Sequence, residues 1–260
     1  ADSIDGDLID AGQGNNLVFG DNGQITAATS DLNRFSNGTI TLGLVETIES
    51  LIGGSDTITT GVGRDIILGG IDADVITANN DEYLTDAFGN VHGADADNII
   101  IGDSGYIDWT AADTGRFYDV DTDTASSGTL SGDDNNAGDI DRIFSTDPDH
   151  GGNDTITTGD GSDIILGGED GEIVTDAIIG ELTISGTVPR IVEADSDGDT
   201  IDAGQGDNLV FGDNGQITAA AENLFVADPA TSGNFGSQPI TLGLVETIES
   251  LIGGSDEITT

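Results

Sequence analysis

The sequence predicts an all-β fold, a parallel β-roll or β-helix solenoid interrupted by long loop insertions. Three observations lead there. Long blocks recur almost unchanged along the chain, a finer nine-residue period runs inside them, and the apolar residues come as short Ile/Val/Leu triplets between Gly/Asp clusters. Triplets bounded by turn residues are the pattern of short strands. Recurrence at a fixed period is the mark of stacked units that bury a shared core.

The long repeats are read directly. QGNNLVFGDNGQITA from Gln13 returns as QGDNLVFGDNGQITA from Gln205, and ITLGLVETIESLIGGSD from Ile40 returns identically from Ile240. The segments between these blocks differ in length, which a surface loop tolerates and a core strand does not. GGSDTITTGVGRDIILGG from Gly53 is echoed by GGNDTITTGDGSDIILGG from Gly151, and a third copy begins at Gly253. This divides the chain into the end of one unit (1–52), two units (53–150 and 151–252) and the start of another (253–260). The sequence begins and stops in mid-pattern and reads as a piece of a larger polypeptide.

The fine period places Asp56, Asp65 and Asp74 nine residues apart, each followed two residues later by Ile58, Ile67 or Ile76. Asp154 and Asp163 repeat this with Ile156 and Ile165, and Glu172 with Val174 continues it. Asp199 with Ile201, Asn208 with Val210, Asp7 with Ile9 and Asn16 with Val18 do the same. Side chains alternate along a strand, so an aliphatic residue at that offset points into a narrow core.

Charge sets the partners. Asp plus Glu total 50 against 5 basic residues, a formal net charge of -45, and every basic residue is Arg. A compact chain with that charge repels itself unless cations neutralise it. Nucleic acid and anionic membranes are therefore excluded as partners. The apolar runs are too short to enter a bilayer. With no Cys, disulfides and thiolate metal sites are excluded as well.

TGVGRDIIL, TGDGSDIIL and GGIDADVIT resemble the RTX nonapeptide GGxGxDxUx, with U a large aliphatic residue. That family forms a calcium-binding parallel β-helix. The resemblance implies a six-residue turn and a three-residue strand per nonapeptide, two nonapeptides per coil, and Ca²⁺ between successive turns. Ca²⁺ takes six to eight oxygen ligands, which turn carbonyls and Asp carboxylates supply. The implied ligands are Asp7, Asp56, Asp65, Asp74, Asp154, Asp163, Asp199, Asn208 and Asp256. Asn16, Asn98 and Asn208 stand where the pattern has Asp, offering a carbonyl without charge, and Glu172 replaces another Asp. Rungs ending in GDNGQI or GDSGYI put Ile at the Asp position, which makes Asp21, Asp103 and Asp213 weaker candidates. Insertions break the pattern into short runs. Since an ion needs stacked turns, those breaks leave some sites incomplete.

Segments near 28–39, 79–95, 108–138, 176–194 and 220–239 are insertions and hold most aromatic residues, including Trp109, Phe117, Tyr118 and Phe225. They read first as aromatics packed on or capping the thin core, and second as loops reaching a neighbour or ligand. VETIES at 45–50 fits a strand or a short helix; a strand joining the stack is favoured because GGSDTITT follows. His150 reads as a turn residue. His92 and His150 are too far apart for a catalytic pair, and nucleophile-elbow, HExxH and Walker motifs are absent.

Together these features point to a non-enzymatic, extracellular, calcium-stabilised structural repeat protein: an adhesin stalk or spacer, surface layer or filament subunit. Neighbouring repeats, and self-assembly, are its expected partners. Like the family it resembles, it would leave a Gram-negative cell by type I secretion. The alternatives are a non-catalytic RTX carrier domain of a secreted enzyme, or a module whose insertions bind a glycan or partner.

Overall fold

A computed structural model describes residues 6–28, 41–80, 88–89, 96–110, 117–119, 124–126, 137–169, 198–219, 235–236, 238–248 and 253–260. Every regular element among them is a β-strand. Glu172, Val174, His92 and Phe225 lie outside the described residues.

The first sheet is parallel throughout. It stacks β1 (Leu8–Gly12), β5 (Thr57–Gly61), β7 (Val75–Asn80), β13 (Thr155–Thr157), β15 (Thr200–Asp202) and β19 (Glu257–Thr259) in that order. The register aligns Ile9, Ile58, Ile76, Ile156, Ile201 and Ile258 in one row. These are the aliphatic residues two places after the repeat Asp.

The second sheet is also parallel, in the order β2 (Leu17–Phe19), β6 (Ile66–Leu68), β8 (Ile99–Ile101), β14 (Ile164–Leu166) and β16 (Leu209–Phe211). Val18, Ile67, Ile100, Ile165 and Val210 align across it. They meet the first sheet's isoleucines in a core of Val18, Ile58, Ile67, Ile76, Ile100, Ile156, Ile165 and Ile201. Burying each such side chain stabilises the fold by about 1.5–3 kcal/mol.

The third sheet departs from the expected parallel stack, because its neighbouring strands run antiparallel. It comprises β3 (Gly23–Ala27), β4 (Leu42–Thr47), β9 (Gly105–Asp108), β12 (Arg142–Ser145), β17 (Gly215–Ala219) and β18 (Leu242–Thr247). Each pair leaves the stack after a strand of the second sheet and returns before a strand of the first. Antiparallel pairing follows from an out-and-back path. Val45, Ile107, Ile143 and Ile217 form its inner row and pack with Leu68, Ile99, Ile101, Ile164 and Leu166. The second sheet is thus covered on both faces, which is why its strands are unbroken triplets such as IIL and III. The first sheet instead alternates, as in TITTG.

VETIES therefore contributes a strand, but to the antiparallel sheet: β4 ends at Thr47, and Ile52 N–H closes a turn onto the carbonyl of Glu49 at 2.8 Å. A short antiparallel pair, β10 (Phe117–Asp119) and β11 (Thr124–Ser126), lies in the third insertion. Trp109 is buried within the core beneath the third sheet, in line with aromatics that pack on the core. The end of the last insertion also folds back: Gln238 is fully buried and its Nε2 donates to the carbonyl of Asn98 at 2.9 Å. His150 lies in a turn, its N–H donating to the carbonyl of Asp147.

Candidate metal centre

Two columns of Asx side chains run along the stack, one at each edge of the first two sheets. The first holds Asp7, Asp56, Asp74, Asp154, Asp199 and Asp256. Each backbone N–H donates to Oδ1 of the next: Asp7 to Asp56 at 2.6 Å, Asp56 to Asp74 at 2.7 Å, and Asp74 to Asp154 at 2.8 Å. Asp154 to Asp199 at 2.7 Å and Asp199 to Asp256 at 3.1 Å complete the column. The residue after each Asp opens a strand of the first sheet, so the parallel register fixes the spacing of the carboxylates. Stacking continues across the insertions, as between Asp74 and Asp154, and the interruptions seen in the sequence do not break the column.

Oδ1 is committed to a backbone donor, which leaves Oδ2. In Asp56 and Asp74 this atom is buried and accepts no hydrogen bond. It faces the glycine that follows a strand of the second sheet. A Cβ on Gly20 would stand 2.3 Å from Asp56 Oδ2 and 2.3 Å from the carbonyl oxygen of Gly69. A Cβ on Gly69 would stand 2.3 Å from Asp74 Oδ2 and 2.0 Å from the Gly102 carbonyl. On Gly102 it would meet Asp154 Oδ2 at 2.0 Å and the Gly167 carbonyl at 2.3 Å, and on Gly167 it would meet Asp199 Oδ2 and the Gly212 carbonyl. Each glycine therefore leaves room where a carboxylate oxygen and a backbone carbonyl converge. A buried carboxylate oxygen without a donor is costly unless a cation meets it.

The electrostatics agree. Burial, reinforced by the charges of Asp56, Asp21 and Asp72, pushes the Asp74 carboxyl up to about 8 against the donated N–H of Asp56. Asp56 is raised by burial and then by the Asp7 charge. Asp65 is raised mainly by burial.

The second column holds Asn16, Asp65, Asn98, Asp163 and Asn208, again linked from backbone N–H to Oδ1. The links are 2.8 Å from Asn16 to Asp65 and 2.9 Å from Asp65 to Asn98. They are 2.7 Å from Asn98 to Asp163 and 3.0 Å from Asp163 to Asn208. Asp65, Asn98 and Asp163 are fully buried. The structure thus sorts the sequence-predicted residues by edge: Asp7, Asp56, Asp74, Asp154, Asp199 and Asp256 on one, Asp65, Asp163 and Asn208 on the other. Consecutive nonapeptides alternate between the edges.

The structure places Asp21, Asp103 and Asp213, the weaker candidates of the sequence, beside the glycines of the first column. Each follows a cradle glycine and is clasped by the returning GG loop. Asp21 accepts the N–H of Gly54 at 3.1 Å and of Ile71 at 2.8 Å. Asp103 accepts those of Gly152 and Glu169, and Asp213 accepts that of Gly254. Asp103 is buried and its carboxyl is held well above the usual range by burial and by the charges of Asp154, Asp199 and Asp74. The available signal was the acid placed directly after the LVFG or IIIG strand ends.

Among the described residues no group of three or more His, Cys, Asp or Glu side chains converges on one point. Carboxylate oxygens are instead spaced along the stack, where Asp56, Asp74, Asp154 and Asp199 each approach a backbone carbonyl. Such an all-oxygen donor set fits a hard cation that accepts carbonyl ligands.

A model of the RTX calcium-binding nonapeptide repeat matches the chain in four copies, over residues 2–24, 52–82, 150–171 and 191–216. These spans include the Asp56–Asp65–Asp74 and Asp154–Asp163 runs, while Asn98, Asp103 and Asp256 fall outside them. Comparison with curated proteins and with solved structures gave no match. The chain thus carries four copies of the RTX calcium-binding nonapeptide repeat, a repeat that binds calcium, and the two ladders of acids and amides run through them.

Proposed function

We propose that this chain is an extracellular structural element, a β-roll solenoid stiffened by environmental calcium, and that it serves as a spacer or stalk, or as a surface-layer or filament unit. The observation that carries the reading is the first column, in which Asp56, Asp74, Asp154 and Asp199 are buried and turn their Oδ2 atoms toward glycine carbonyls. Asp7, Asp56, Asp74, Asp154, Asp199 and Asp256 bind calcium on that edge, and Asp65 and Asp163 bind it on the other. The bound ion supplies the positive charge that lets these acids pack, so binding and folding are one event. RTX repeats are typical of secreted bacterial proteins, and extracellular calcium matches the weak sites of extracellular modules. A chain exported unfolded at low calcium by type I secretion would fold outside.

Repetition supports the structural role. β3–β4 and β17–β18 pair in the same register, Gly23 with Thr47 and Gly215 with Thr247, so near-identical blocks build near-identical layers. Units at 53–150 and 151–252 would extend such a stack by addition, with neighbouring repeats, and self-assembly, as the main contacts. Nothing in this role calls for catalysis.

Small-angle X-ray scattering of the chain tests it. Millimolar calcium should give an elongated particle of constant cross-section, and chelator should give an expanded coil. A profile that is the same in both conditions would overturn the reading.

A further inference from the structure

The second column alternates amide and acid: Asn16, Asp65, Asn98, Asp163, Asn208. At Asn16 the side-chain nitrogen has three acceptors. Nδ2 donates to the Gly12 carbonyl at 3.1 Å, to the Gly14 carbonyl at 2.7 Å and to Asp65 Oδ1 at 3.0 Å. Two turn carbonyls and a carboxylate of the neighbouring rung are the oxygens that a cation seated in this turn would gather. Asn208 repeats the arrangement. Its Oδ1 accepts the N–H of Asp163, and its Nδ2 donates to the Ala203 carbonyl of its own turn at 2.7 Å. An NH₂ group presents positive hydrogens to the oxygens that a metal ion would gather, so the amide and an ion compete for the same turn.

The other edge changes on the same rungs. The strand that follows Asn16 ends in Gly20 and Asp21, and the strand that follows Asn208 ends in Gly212 and Asp213. The strands that follow Asp65 and Asp163 end in Gly69–Gly70 and Gly167–Gly168. The alternation is steric as well as electrostatic. A Cβ on Gly70, at φ +124°, would lie 2.2 Å from Asp21 Oδ2, and one on Gly168, at φ +123°, would lie 2.2 Å from Asp103 Oδ2. Rungs that give up a carboxylate on the second edge thus carry an extra one on the first.

We propose that on alternate rungs the side-chain amides of Asn16 and Asn208 stand in for calcium on the second edge, so that the chain concentrates its ions on the first. This rests on the reading that the columns hold calcium. Asn208 is then a built-in substitute for the ion and not one of its ligands.

Equilibrium dialysis of the full chain against ⁴⁵Ca²⁺, counting ions per molecule, tests it. Asn16→Ala and Asn208→Ala should keep the wild-type count while lowering the melting temperature in saturating calcium. Asn16→Asp and Asn208→Asp should each gain one ion. Loss of an ion in either Ala variant, or no gain in the Asp variants, would overturn the proposal. Asp74→Asn separates the two readings. If the wild type binds calcium and Asp74→Asn loses an ion while the Asn variants fail as described, the amide proposal alone falls. If the wild type binds none, the calcium reading of both columns falls first.

Discussion

The backbone N–H of Asp74 donates to Oδ1 of Asp154 at 2.8 Å across 80 positions of sequence. That bond carries the first column over an insertion and turns separate nonapeptide runs into one stack. One rung earlier the N–H of Asp56 takes Asp74 Oδ1 in the same way and leaves Asp74 Oδ2 a buried acceptor with no donor, the condition from which the following expectations come.

Asp74→Asn keeps an acceptor for the N–H of Asp56 but removes a buried charge. In chelator at pH 8 the variant should be more stable than wild type by roughly 1–3 kcal/mol, because each unit of pKa displacement is worth about 1.4 kcal/mol. In calcium the order should reverse, with the midpoint of the calcium titration rising about tenfold. Urea unfolding in calcium and osmolyte-induced refolding in chelator read the two arms.

Stability without calcium should fall as pH rises. The Asp74 carboxyl titrates near 3.8 in the unfolded chain and about 8 in the folded one. The folded state therefore binds the proton more tightly. Stability is fully present below about pH 4 and is lost as pH climbs through 8. Asp21, Asp56, Asp65 and Asp103 shift in the same direction. Saturating calcium should invert the trend over that window, since protons compete for its ligands. Circular dichroism through a pH titration in chelator, where acid should restore β-structure, and urea midpoints at several pH values in calcium check the sign.

Gly69→Ala puts a methyl 2.0 Å from the Gly102 carbonyl and 2.3 Å from Asp74 Oδ2. It should abolish most of the calcium-induced gain in melting temperature. Gly89→Ala meets nothing within 4 Å, although its φ is +82°. That control should cost about 1 kcal/mol and leave the calcium response intact. Differential scanning calorimetry distinguishes the two.

Ile100→Ala removes a side chain that is fully buried between the first two sheets. It should destabilise the calcium-loaded protein by about 2–5 kcal/mol, through the lost burial and the cavity left behind. The ion count should not change, which separates core packing from metal binding.

Much of this was legible in the sequence, for local reasons. The nine-residue period sets each Asp two places before its aliphatic residue, so the burial of Ile58, Ile76, Ile156 and Ile201 behind a rung's acid follows from that local offset. What the sequence hid is long-range register. Asn98 stacks between Asp65 and Asp163 although an insertion precedes it, and its neighbours are set by pairing rather than by spacing. The third sheet was obscured for a similar reason. Its strands GQITA, LGLVET, GYID and RIFS alternate like any half-covered strand, and only the out-and-back path makes them antiparallel partners. The surroundings of Asp103 were hidden because its donors, Gly152 and Glu169, are supplied by distant loops.

The most direct measurement is far-ultraviolet circular dichroism of the chain, first in excess chelator and then through a calcium titration at neutral pH, with magnesium as the control. A coil-like spectrum that converts cooperatively to β-structure with calcium and not with magnesium is the predicted result. A β spectrum and melting temperature indifferent to calcium and to chelator would contradict it, and would reduce the two columns to turn structure without a metal.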